Sequence, residues 1–279
     1  GRWILSFMLT VAVAAAAVHL SAPAPLGRGV AVASLRPGVR ACSIRAAAAD
    51  DDGADVTASL RELWGAGEDA CAIDERCIYF VTGNAKKERE VNAILTAQDL
   101  SPFRVSHVDI DLPELQGDPL EIAREKCRSA AERVQASVIV EDTSLCFNAL
   151  NGMPGPYIKW FVAAVGNDGL CNLLTGHDDK SAYCQCTLAF SPGPGAEPLV
   201  FIGRTDGLIV SPMGKGGFGW DAIFVPDGSE IPFGAMTLDA KNEISHRARA
   251  LEQFVAHCKR HEAEIFELMA AAGQTDPAQ

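Results

Sequence analysis

The stretch Ile78-Tyr79-Phe80-Val81-Thr82-Gly83-Asn84-Ala85-Lys86-Lys87 decides the fold. A β-branched and aromatic run stops at a Gly-Asn turn, and two lysines then open an amphipathic segment. This reads as a buried strand, a tight turn and a helix. Such a junction aims backbone N–H groups, the positive end of a helix dipole and ammonium groups at one point, which suits an anionic ligand. It matches neither the dinucleotide glycine fingerprint nor a Walker P-loop, because neither spacing is present.

Outward from this junction, strands alternate with helices. Cys77–Thr82 is the strand, and Lys86–Asp99 is a helix with Val91, Ile94 and Leu95 inward. Phe103–Ile110 alternates like a strand. Pro119–Gln135 is a helix opened by proline, with Ile122, Ala123, Cys127 and Ala130 inward. Ser137–Val140 is an apolar strand ending at Glu141-Asp142-Thr143, and Pro156–Ala164 and Leu170–Leu174 read as helical. Ser181–Ser191 and Leu199–Val210 form a hairpin across a Pro/Gly-rich turn. The last helix runs from Ile244 to about Ala271, with a break near Lys259. The class is α/β: a mixed, twisted central sheet flanked by helices.

A chain of 279 residues buries a full core, and its 48% hydrophobic and 22% charged composition is that of a globular protein. The net charge is −12, while residues 1–49 hold five arginines and no acid, so the remainder carries −17. So acidic a body excludes general binding to DNA or RNA, which rests on phosphate neutralisation by Lys and Arg. Phosphates must be met in a local basic pocket, together with a metal ion. The nine cysteines contain no Cys-x-x-Cys pair; Cys184 and Cys186 alternate on one strand face as small apolar residues, and the body is read for a reducing compartment.

Residues 1–49 read as a targeting leader. Arg2 precedes an apolar stretch from Trp3 to Leu20, small residues follow, and an Ala/Arg/Ser-rich segment without acid continues to Ala49. A secretory signal, an anchoring helix and a mistranslated upstream region are the alternatives. With the leader removed, the expected location is an organelle, plastid or mitochondrion; if it is unused, the cytoplasm. The mature body is expected to have no stable membrane association. Residues 50–75 form an acidic connector, 76–270 the folded domain and 271–279 a tail.

Clusters rich in chemistry punctuate the ends of these elements, where α/β folds place ligands. They are Thr82–Lys87, Asp111–Gly117, Glu141–Thr143, Gly216–Asp221 and Lys241–Arg247. Thr-Gly-Asn-Ala-Lys-Lys, Asp-Leu-Pro-Glu-Leu-Gln-Gly, Val-Glu-Asp-Thr-Ser-Leu, Gly-Met-Pro-Gly-Pro-Tyr-Ile-Lys-Trp, Gly-Phe-Gly-Trp-Asp and Ser-His-Arg follow one another in this order. Together they resemble the inosine triphosphate pyrophosphatase (Ham1-like) family, over roughly Cys77 to Lys259. One departure is Ala235, where relatives often carry Glu.

The resemblance implies a two-lobed body with a nucleotide cleft, usually homodimeric. It implies a Mg²⁺-dependent hydrolase (Mn²⁺ as a substitute) that cuts ITP, dITP and XTP to the monophosphate and pyrophosphate. Lys87, Asn84 and Thr82 then form the phosphate cradle and Lys126 a further phosphate ligand. Glu114 and Asp142 become the metal carboxylates, since Mg²⁺ prefers carboxylate, phosphate and water oxygens. Asp142 is the candidate base, with Glu141 able to share that work and Thr143 beside it. Phe218 offers a ring for the purine, Gly219 and Trp220 flank it without an assigned Trp220 side-chain contact, and Asp221 can accept from a ring N–H. His246 and Arg247 can donate to a 6-oxo group, which adenine lacks. Lys241 can reach the phosphates or ribose. A relative with another base preference, a non-catalytic nucleotide-binding module and an acidic interaction protein are the rival readings.

Overall fold

The computed structural model describes residues 44–45, 76–214 and 219–272. Nearly all of the leader, the connector, Phe218 and the last residues of the tail lie outside them.

The elements are β1 (Ile44–Arg45), β2 (Cys77–Val81), α1 (Ala85–Gln98), β3 (Arg104–Asp109), α2 (Pro119–Val134), β4 (Val138–Phe147) and β5 (Pro154–Gly155). Then come α3 (Ile158–Asn172), β6 (Ser181–Ser191), β7 (Leu199–Ile209), β8 (Phe224–Pro226), α4 (Leu238–Ile244), α5 (His246–Arg260) and α6 (Glu262–Ala272). They build one mixed sheet in the order β1-β3-β2-β4-β6-β7-β8, with β5 also on β4. β1, β3, β2 and β4 run parallel to their neighbours in that series, while β4, β6, β7 and β8 pair antiparallel.

Residue alternation explains the layers. Ile78 and Phe80 of β2 meet α1, α5 and α6 on one face, through Val91, Ile94, Leu251, Phe254 and Ile265. Cys77, Tyr79 and Val81 meet α2 on the other, through Ala123, Cys127 and Ala130. A strand buried on both faces reads as a continuous apolar run, which is why residues 77–81 do. A third core sits at the other end of the long strands, where Leu145 and Phe147 join Ile158, Trp220, Phe224 and Phe233. Between the cores, β4 carries Glu141-Asp142-Thr143. The seam that positions the site therefore crosses the middle of the sheet.

Two sequence expectations are corrected here. The strand expected to end at Val140 continues to Phe147, because pairing with β6 persists through Glu141↔Leu188, Asp142↔Thr187 and Thr143↔Cys186. The last helix starts at His246, since the Ser245 hydroxyl accepts from the Ala248 N–H and caps it, and Leu238–Ile244 is a separate short helix. The break near Lys259 falls between Arg260 and Glu262. Residues 156–174 hold α3, in which Gly166 takes φ 65° and kinks the helix. Gly203 lets α5 lie directly on β7: a Cβ there would stand 1.9 Å from the His246 carbonyl oxygen and 2.4 Å from the Ala250 amide nitrogen.

Candidate active site

The turn after β2 is built by its own side chains. Asn84 caps α1, its Oδ1 accepting from the N–H groups of Lys86 at 3.0 Å and Lys87 at 3.3 Å, while its own N–H donates to Thr82 Oγ1 at 3.2 Å. These amides, expected to face the anion, are thus partly occupied by the cap itself. What the turn presents outward is charge. Lys86 is exposed, and Lys87 reaches across to β4.

Beneath the turn lies a buried ionic network. Glu141 accepts from Arg247 Nε at 2.9 Å and from its terminal nitrogen at 3.2 Å, from Lys87 Nζ at 2.6 Å, and from Cys186 Sγ at 3.1 Å. Arg247 also donates to Glu90 and, at 3.2 Å, to Thr143 Oγ1. Lys241 Nζ bridges Glu90 at 2.9 Å and Asp221 at 2.7 Å. Three acids meet three cations, all but Lys87 in near-complete burial, and each acid has a cationic partner. Burial would raise the Glu141 carboxyl, but Arg247 and Lys87 hold it well below the usual carboxylate range. Burial likewise opposes the charge on Lys87, and Glu141 and Asp142 outweigh it, so its pKa is raised and it stays protonated.

Asp142, the next residue on β4, points to the other face, as strand alternation requires. Its Oδ1 accepts from Lys126 Nζ at 2.9 Å, and its Oδ2 is buried with no hydrogen-bond partner. Glu114, in the loop before α2, is paired at 2.5 Å with Lys159 of α3, and both are exposed. Although partial burial pushes the Glu114 carboxyl up, Lys159, Lys126 and Lys87 together pull it down. Lys87 and Lys126 are thus within electrostatic reach of Glu114, and Lys159 is its direct partner.

His246 opens α5 in full burial. Its Nδ1 faces Cys184 Sγ at 3.2 Å, and its ring lies against Trp220 (5.6 Å, 37°) and Phe233 (6.2 Å, 30°). Its Nε2 is buried without a hydrogen-bond partner. Burial, then the charges of Arg247 and Lys241, press its pKa well below the usual imidazole value, so the ring is neutral. Trp220 packs edge-on against Phe224 and belongs to the core. Gly219 takes φ 58°, with open space where a Cβ would stand.

The structure therefore gathers Thr82, Asn84, Lys87, Lys126, Asp142, Thr143, Asp221, Lys241, His246 and Arg247 along one seam, with Glu114 at its rim. Asp221, Lys241 and Arg247, expected to face the nucleotide, spend these bonds on one another and on Glu90 and Glu141. Sequence reasoning assigned nothing to Glu90 and Lys159. Glu90 had a signal: it shares the inward face of α1 with Val91 and Ile94, where a carboxylate needs a buried partner. Lys159 stood inside a quoted motif without an assigned task.

Among the described residues no cluster of three metal-ligating side chains is present. A Mg²⁺ site needs only one or two carboxylates beside phosphate and water oxygens. The orphaned Asp142 Oδ2 and the exposed Glu114 carboxylate fit that donor set.

The chain is similar in fold and sequence to solved structures. A HAM1 protein from Coxiella burnetii shares 26% identity at a TM-score of 0.59, over 66% of this chain and 98% of that one. The Staphylococcus aureus Ham1 protein shares 25% identity at 0.55, over 66% and 99%. A nucleoside-triphosphatase / dITP/XTP pyrophosphatase from Mycobacterium abscessus shares 27% at 0.51, over 64% and 97%. The model of the Ham1 family matches residues 78–257, well over half of the sequence and every element that builds the seam. The chain belongs to the Ham1 family.

Proposed function

We propose that the chain hydrolyses deaminated purine nucleoside triphosphates (ITP, dITP and XTP) to the monophosphate and pyrophosphate, removing them from the nucleotide pool. Family membership supports the broader reading, a nucleotide pyrophosphatase of the hydrolase class. The observation that supports phosphoanhydride hydrolysis at this seam is Asp142. One carboxylate oxygen is held by Lys126 and the other is buried and unpartnered, within the field of protonated Lys87.

A triphosphate brings about four negative charges, so attack by water needs cations around it. Lys87 and Lys126 supply two at the seam, and Lys86 adds surface charge at the turn. Glu114 and Asp142 would hold Mg²⁺, or Mn²⁺ in its place, which supplies Lewis-acid neutralisation of the phosphates when bound. With Oδ1 held by Lys126, Oδ2 is the single open oxygen of Asp142, and it serves either as the second metal contact or as the group that orients the attacking water and takes its proton. The bonds of Glu141 to Arg247, Lys87 and Cys186 favour Asp142 over it for that task.

Base recognition falls to Phe218, Gly219, Asp221, His246 and Arg247, with Trp220 backing His246. Nε2 of His246 is an unpartnered polar atom in the buried wall. Arg247 has one uncharged partner, Thr143 Oγ1, which a 6-oxo oxygen can replace without unpairing a charge. An amino group in that place would leave the donor unmatched, a mismatch that discriminates strongly. Lys241 stands behind Asp221 for the ribose or phosphates. A cleft between two lobes, homodimer assembly and leader-directed delivery to an organelle complete the proposal, without nucleic-acid binding or stable membrane association. No described helix is long and apolar enough to cross a membrane.

The test is the full chain with Mg²⁺ and ITP, XTP, GTP or ATP, assayed separately for pyrophosphate and orthophosphate. Pyrophosphate from ITP and XTP with GTP and ATP spared is the expected result. Orthophosphate, or equal hydrolysis of all four, overturns it.

A further inference from the structure

His107 of β3 stands against the phosphate turn and has no part in the reading above. Its Nε2 makes a short hydrogen bond to the Thr82 carbonyl oxygen. A carbonyl only accepts, so Nε2 is the donor in this bond, and the second ring nitrogen is Nδ1. That Nδ1 is buried without a hydrogen-bond partner, and Glu88 Oε2 in the first turn of α1 stands 3.5 Å away. The ring is wedged where the chain leaves the sheet and the helix begins.

We propose that His107 is a positioning residue for the phosphate turn, its Nε2–H tethering the Thr82 peptide so that Asn84 and Lys87 are held in place. This rests on reading that turn as the phosphate cradle. β3 grips the turn at three neighbouring points. The Val108 carbonyl accepts from the Thr82 N–H at 3.1 Å, and the His107 ring donates to the Thr82 carbonyl. Asp109 lies so close that a Cβ at Gly83 would be 2.9 Å from its Oδ1. Of the three, only the His107 bond fixes the Thr82 carbonyl. Without it the Thr82–Gly83 peptide can rotate, and Thr82 Oγ1, which accepts from the Asn84 N–H, turns with it. Loosening a cradle that holds the phosphates equally in ground and transition states raises KM and leaves kcat alone.

The test compares His107→Leu, which removes the donor, with His107→Gln, whose amide nitrogen reaches the Nε2 position, in the full chain. Hydrogen exchange of the Asn84, Lys86 and Lys87 amides, followed without nucleotide, should quicken about tenfold in the Leu variant and stay within about twofold in the Gln variant. KM for ITP should rise about tenfold in the Leu variant at kcat within about twofold, and return in the Gln variant. Unchanged exchange in His107→Leu, no recovery in His107→Gln, or faster exchange at unaltered KM each overturns the proposal. A wild-type chain that releases no pyrophosphate from any nucleotide contradicts the pyrophosphatase reading instead, and the exchange measurement still decides the tether.

Discussion

Two charged regions lie on either side of β4, and they are built in opposite ways. The inner one joins Glu90, Glu141 and Asp221 to Arg247 and Lys241 at or near full burial, with half-buried Lys87 closing it. The outer one is a half-open rim in which Lys126 holds Asp142 and Lys159 holds Glu114. Buried ions must be paired because desolvation is costly, so the ion pairs of the inner set are locked, and only the bond of Arg247 to Thr143 and the half-buried Lys87 are open to a ligand. The exposed Lys159–Glu114 pair contributes at most about 1 kcal/mol and exchanges readily, so Glu114 can give up its lysine for a ligand, while half-buried Asp142 keeps one oxygen without a partner. Catalytic groups need that freedom, and they need a rigid wall behind them.

The largest expected effect breaks the inner region. Arg247→Leu leaves Glu90 and Glu141 without their guanidinium and should cost about 3–5 kcal/mol in urea denaturation. A loss under about 1 kcal/mol would mean that the network is not a scaffold. Glu114→Gln probes the rim: ITP turnover should fall about a hundredfold, roughly 2.7 kcal/mol, while the denaturation midpoint barely moves. A matching fall in stability would erase the distinction between the two regions.

Gly203→Ala should cost about 1–3 kcal/mol by forcing α5 off β7. Turnover should fall with it, because His246 and Arg247 ride on that helix start; an unperturbed variant would mean that the contact is not tight.

The smallest expected effect is in pH. His246 has a depressed folded pKa, so its contribution is complete above about pH 6.5 and is lost as the pH falls below that, when the unfolded chain takes up a proton the native site refuses. Glu141 is depressed too, and its contribution is lost only as the pH falls below about 4.5. The first decline should lose about 1.4 kcal/mol per pH unit of slope in His246→Gln. An unchanged slope would place the titration elsewhere.

Much of this was legible in the residues. The β2–turn–α1 junction, the β6–β7 hairpin and the apolar face of α2 follow from periodicity and turn chemistry alone. Glu141 and Asp142 remained inseparable because ending β4 at Val140 discarded the alternation that puts them on opposite faces. The apolar rhythm breaks at Glu141, whereas the ladder to β6 does not, and a single strand cannot reveal its partner. Pairings such as Arg247 with Glu90, or Lys159 with Glu114, join distant segments and carry no local signal. Ser245, a hydroxyl residue just before a helical period, carried a cap signal that a helix start at Ile244 passed over.

The division of labour rests most directly on Asp142, the one residue of β4's polar run with an unpartnered oxygen. Pyrophosphate release from ITP by Asp142→Asn, measured with its denaturation midpoint, decides it. The account predicts turnover reduced by at least about a hundredfold with stability within about 1 kcal/mol of the parent. Pyrophosphate released at near the parent rate would contradict it.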